Sequence, residues 1–308
     1  MKSKYSAGAY RKVFFLLCRY EKGKVLKKLL NCFIPFLCSA LVISCIIGQT
    51  STEFADQEKK NAEQRTNEVD LLKDKTKDGK SQNPEDYFKL AEAYEQGYGT
   101  PYDIVQALAN YEKAAELKHL LSQYRAGKLN ELGIAGGKNY AKAARFYTMS
   151  AQAGHTPSMN NLGYLYDKGL GVPNNPSKAF MLYYEAALRE NITAMYNAGV
   201  MLIEGNGVQK NVGEGYKWVY RTKLATEWPE KQYLWARATD VINEVRPSIL
   251  NKDLTLLEAD ARKSHEKYIE KQSRERSLAF SNGADKDASI REFNLRQDIS
   301  VPIQKPIN

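Results

Sequence analysis

After residue 45 the chain contains no cysteine: Cys18, Cys32, Cys38 and Cys45 are all it has in 308 residues. The 263 residues that follow can form no disulfide, thiolate metal site or cysteine nucleophile, so they would fold alike in oxidising or reducing surroundings. Histidine is nearly as scarce, with three in the chain. His119 and His155 lie 36 residues apart, which suits a recurring packing or capping role better than a catalytic base. His265 stands in KSHEKY without a second histidine at metal-binding spacing. No carboxylate couple stands out, and the glycines follow helical patterns rather than strands, which excludes a phosphate cradle. These absences exclude the common hydrolytic and metal chemistries, and the sequence reads as that of a non-enzymatic protein with no metal, no cofactor and no small-molecule substrate.

Charge of one sign is missing from most of the chain as well. Of the net +9, residues 1–45 carry +8, nine Lys and Arg against Glu21, which leaves +1 for residues 46–308. A nearly neutral body gives no reason to expect nucleic acid. The basic residues, in 1–28, instead flank the uncharged run 29–48, LLNCFIPFLCSALVISCIIG. Twenty helical residues span about 30 Å, the thickness of a hydrocarbon core. The basic flank places the N-terminus in the cytoplasm and exports the body.

The end of that run has two readings. Val42-Ile43-Ser44-Cys45 resembles the lipobox of bacterial lipoproteins, with Val where Leu is usual. That resemblance implies lipidation at Cys45, a membrane-lipid partner and a body facing the periplasm; the late position of Cys45 in the run favours it. The alternative is a single-pass anchor. Residues 49–83 are dominated by Glu, Lys, Gln and Asn, with only Phe54, Val69, Leu71 and Leu72 as candidates for burial, and are expected to be a polar tether.

The body is periodic. Stretches starting at residues 91, 127, 163 and 199 align at a constant offset of 36 without insertion. The offset links Gly97, Gly133, Gly169 and Gly205, then Ala107, Ala143 and Ala179, then Tyr111, Tyr147 and Tyr183. Each period reads as two helices. In the third, Thr156 is expected to cap the first helix, glycine in DKGLG to end it, and Asn175-Pro176 to start the second. Small residues let neighbouring helices approach, and one pair alone cannot bury its apolar face. The second repeat, with GIAGGKN at the turn, is expected to have a shorter, differently shaped loop.

The unit NLGYLYDKGLGVPNNPSKAFMLYYEAAL resembles the Sel1-like repeat, a relative of the tetratricopeptide repeat. The resemblance implies an all-α fold, a right-handed α-solenoid of Sel1-like, TPR-like helix pairs, over residues 84–228. Two closing helices over 229–276 and a loose tail over 277–308, in which FNLRQDISVPI could lie against the solenoid, complete the expected layout. Fifteen tyrosines lie between residues 83 and 225. Those at the repeat position should be buried with their hydroxyls at the edge. The non-periodic Tyr98, Tyr102, Tyr140, Tyr184 and Tyr216 are the candidate partner-binding residues, since tyrosine combines rigid contact area with a polar tip. The resulting expectation is a membrane-tethered adaptor that binds an envelope protein or an extended peptide on the concave face. The alternatives are an envelope carbohydrate or cell-wall binding module and a eukaryotic secretory-pathway adaptor.

Overall fold

A computed structural model of the chain describes residues 56–226 and 232–281, which fall into two compact units divided after Arg65. Residues 56–65, in the first unit, are helical. The second unit holds the repeats, and no strand occurs among its described residues.

Eight helices pair in chain order: α1 (Pro84–Gln96) with α2 (Ile104–Glu116), α3 (Leu120–Leu132) with α4 (Tyr140–Gln152), α5 (Thr156–Lys168) with α6 (Pro176–Leu188), and α7 (Ile192–Glu204) with α8 (Val212–Ala225). Each helix packs on the one before and the one after, which makes an all-α solenoid of helix pairs. Caps set the boundaries. Gly97, Gly133, Gly169 and Gly205 each end a first helix with φ between 66° and 77°, a left-handed conformation that costs glycine nothing. Asp103, Asn139, Asn175 and Asn211 each start a second helix by accepting a backbone N–H with the side chain.

Three local expectations are corrected. The cap of α5 is His155 rather than Thr156, which is already helical. The turn of the second repeat is not shorter: residues 133–139 match 97–103 in length. Its shape does differ, because Ala135 replaces a turn glycine and the positive φ values move to Gly136 (129°) and Gly137 (112°). Tyr111, Tyr147 and Tyr183 are wholly buried, hydroxyls included in the packed interior rather than at its edge.

Close approach explains the small residues. In α3, α5 and α7 a Cβ on Gly127, Gly163 or Gly199 would meet Tyr147 at 2.6 Å, Tyr183 at 2.9 Å or Val219 at 2.8 Å. Ala107, Ala143 and Ala179 are buried on the second helices.

At the far end α9 (Gln232–Val245) and α10 (Asn251–Ser281) both pack on α8. Leu234, Ala238, Val241 and Ile242 form the buried face of α9, and Leu254 and Ala261 that of α10. α10 runs past residue 276 to Ser281. At the near end the structure departs from a free tether: residues 66–76 are helical, and Val69 and Leu72 are buried against Leu90 and Ala93 of α1.

Candidate interaction surface

The candidate tyrosines occupy different environments. Tyr98 and Tyr102 stand on the first inter-helix loop, 46% and 63% exposed. Tyr140 is half-buried at the first position of α4, with Lys138 Nζ 5.8 Å from its ring centre. Tyr184 is half-buried in α6, its ring 5.5 Å from Phe180 and 5.7 Å from Trp218 of the next repeat. Tyr216 is not a surface residue. It is fully buried in α8, and its hydroxyl donates to Glu258 of α10 at 2.8 Å, so it joins the closing helix to the last repeat.

Sequence reasoning missed Ile134, which is 56% exposed at the loop position equivalent to Tyr98. The next equivalent, Leu170, is partly buried. The signal was available: positions 98, 134 and 170 are apolar at the repeat offset, in loops where polar residues are the rule.

The periodic tyrosines do something else. Tyr111 Oη donates to Glu95 at 2.6 Å, and Tyr147 Oη to Glu131 at 2.7 Å, each bond joining the two helices of one repeat. Burial, reinforced by the carboxylate, pushes both phenols well above their ordinary pKa, so they remain protonated donors. In the third repeat the carboxylate position holds Asp167, one methylene shorter, and the buried Tyr183 Oη has no hydrogen-bond partner.

The two periodic histidines stand at helix N-cap positions, and His119 caps with its ring. His119 Nδ1 accepts the Ser122 backbone N–H at 3.3 Å, its ring centre lies 4.5 Å from that of Phe88, and its Nε2 lies 3.5 Å from Glu85. Burial lowers its pKa, with Glu85 opposing, so the neutral ring acts as acceptor. His155 Nδ1 lies 2.9 Å from Ser158 Oγ, and its ring packs on Tyr124. Asn83 and Asn191 cap at the same register with an amide oxygen, as His119 does with a ring nitrogen, whereas the His155 ring turns to the Ser158 hydroxyl instead of a backbone N–H. Among the described residues no group of three or more His, Cys, Asp or Glu is placed to hold a metal ion. No described helix is long and apolar enough to cross a membrane, and both the apolar run 29–48 and Cys45 lie outside the described residues.

Ion pairs link successive second helices. Glu112 of α2 meets Lys142 of α4 at 3.0 Å and also accepts from Asn130, and Glu116 meets Arg145 at 2.6 Å. Arg221 of α8 reaches Glu190, in the turn before α7, at 3.0 Å. The Lys142 and Arg145 pairs are partly exposed and aid register more than stability, whereas Arg221 is largely buried in its pair.

The Sel1 repeat family model matches residues 84–119, 120–155, 156–191 and 192–221. No curated protein matches the chain. Among solved structures the chain is similar to a Sel1 repeat protein from Oxalobacter formigenes, at 21% identity over 63% of this chain and 85% of that one, with a TM-score of 0.48. It is also similar to a protective antigen with an SLR fold present in uropathogenic Escherichia coli strains, at 21% identity over 69% of this chain and 60% of that one, TM-score 0.38. An immunity protein from Pseudomonas aeruginosa is similar at 17% identity over 57% and 73%, TM-score 0.32. Repeats of the matched family typically serve as protein-interaction scaffolds. The solenoid is thus built of four Sel1 repeats, over residues 84–221.

Proposed function

We propose that the chain is a membrane-tethered, non-enzymatic adaptor of the cell envelope, which holds a protein or an extended peptide along the concave face of its solenoid and the adjoining loops. The observation that carries this reading is the exposed apolar row at the inter-helix loops, Tyr98, Tyr102 and Ile134. Exposed aromatic and aliphatic side chains on rigidly capped loops give contact area at little entropic cost. The tether follows from the uncharged run 29–48 and its basic flank, with Cys45 as the lipidation site.

Two measurements test the two halves. A photo-cross-linking residue at position 102 or 134 should give one and the same protein adduct, and position 181 on the second helix of the third repeat should give none. Equal adducts from all three positions, or none from any, would remove the assigned surface. In cells fed labelled fatty acid, the wild type should take up label and Cys45→Ala should not. An unlabelled protein that stays in the membrane fraction would replace the lipid anchor by a spanning one.

A further inference from the structure

The third and fourth repeats each close the one before at an equivalent spot. Gly171, in the loop of the third repeat, lies against the backbone of Tyr140 and Ala141 at the start of α4, so near that no side chain fits between. Gly207, in the fourth, lies in the same way on Pro176 and Ser177 at the start of α6. One period on, the start of α8 is Val212 and Gly213, and among the described residues no further glycine loop covers it. An open groove of about 610 Å³ remains there, lined by Val212, Gly213, Ile249, Leu250, Leu256 and Leu257. Leu250 and Leu256 are 74% and 63% exposed. The groove is an unfinished repeat junction.

We propose that the chain's own residues 299–303, Ile299-Ser300-Val301-Pro302-Ile303, fill this groove as an extended strap, in the place a fifth loop would take. Reach permits it. Leu256 and Ser281 are 25 residues apart on one helix, about 38 Å. Residues 282–298, fully extended, span up to about 56 Å. The pattern fits too. Leu170-Gly171-Val172, the segment that closes the start of α4, is apolar–small–apolar, with Leu170 and Val172 packed on the core. Ile299-Ser300-Val301 repeats that order, and Pro302 carries no N–H that would need a partner. Arg296, Asp298 and Lys305 flank the strap with a net charge of +1, and Asp253 lines the groove, so the balance of charge is weakly complementary. Being tethered, the strap meets the groove at a millimolar effective concentration, so modest intrinsic affinity suffices.

Hydrogen–deuterium exchange on the full chain in detergent tests the strap directly. Amides of residues 299–303 are expected to exchange at least tenfold more slowly than those of a free peptide of the same sequence. Leu256→Asp, at an exposed position, and Ile299→Asp with Val301→Asp should each abolish that protection while leaving the exchange of α1–α7 unchanged. Three results would overturn the proposal: free-peptide exchange in the wild type; protection unaffected by Leu256→Asp; and protection that rises with protein concentration, which would assign the groove to a second copy of the chain.

Discussion

Tyr147 donates its hydroxyl proton to Glu131 across 2.7 Å inside the second repeat, with neither residue more than 7% exposed. Tyr111 and Glu95 form the same bond one repeat earlier. One repeat later the pair is Tyr183 and Asp167, and the bond is not made. A phenol and a carboxylate buried together are worth most when each satisfies the other, and the third repeat keeps the burial without the bond.

Asp167→Glu should therefore stabilise the protein by about 1 kcal/mol, a rise of about 2–4 °C in Tm, by letting the carboxylate reach Tyr183. Removing the hydroxyl discriminates further. Tyr147→Phe should cost about 1–3 kcal/mol because Glu131 loses its donor, whereas Tyr183→Phe should be nearly neutral. Thermal unfolding of the three variants checks this; equal losses for both tyrosines would contradict it.

The glycines of the first helices are predicted to resist alanine, against helix propensity. Gly127→Ala would gain about 1 kcal/mol in propensity, but its Cβ would stand 2.6 Å from Tyr147 Cδ1, and overpacking costs about 1–3 kcal/mol. Gly213→Ala is the internal control: the nearest side-chain atom of a facing residue is Leu257 Cδ1 at 3.7 Å. It should be neutral or stabilising in urea unfolding, and Gly127→Ala destabilising.

Acidity should strengthen the array over part of its range. Burial raises the pKa of Glu131 above the usual carboxylate value, against the Tyr147 hydrogen bond and the charges of Lys128 and Lys138. Burial also raises Glu190 and Glu204, opposed at Glu190 by Arg221. A carboxyl whose folded pKa lies above its unfolded one contributes stability that is fully present below the unfolded pKa and is lost as pH rises through the folded one. The Tm should thus rise as pH is lowered from neutral towards the ordinary carboxylate range, and Glu131→Gln should flatten the rise. A Tm that falls over the same interval, and falls equally in the variant, would contradict this.

The 36-residue period was legible because each repeat meets the same neighbours, so Gly97 and its equivalents, the buried alanines and the periodic tyrosines all recur. Features that depend on partners outside the period were not. Tyr216 looked like a free tyrosine because Glu258 lies 42 residues on, in a helix that is not a repeat. The shared local job of His119 and His155 was legible in their recurrence, but the helix boundary at His155 was not, because Thr156 is a commoner cap and the His155 ring makes no backbone cap bond that would mark the position. Ile134 stood out less because the period is marked by recurring glycines, while the residue beside them changes from Tyr98 to Ile134 to Leu170 to Asn206.

The segment before the repeats was hidden by its own composition. Residues 66–76 are mostly charged and polar, which argues against independent folding, yet two apolar residues three apart are enough for a helix that docks on something already built. Val69 and Leu72 meet Leu90 and Ala93 of α1, the face that an earlier repeat would otherwise cover. Leu72→Ala should then cost about 2–3 kcal/mol, toward the low end for a buried leucine at a boundary that can relax. In a solenoid each unit contacts only its neighbours, so the loss should be local. Amide exchange should speed up in residues 66–76 and in α1, with α7 and α8 unchanged. A uniform acceleration through α8 would mean that the array unfolds as one block, and an unchanged α1 would mean that this helix caps nothing.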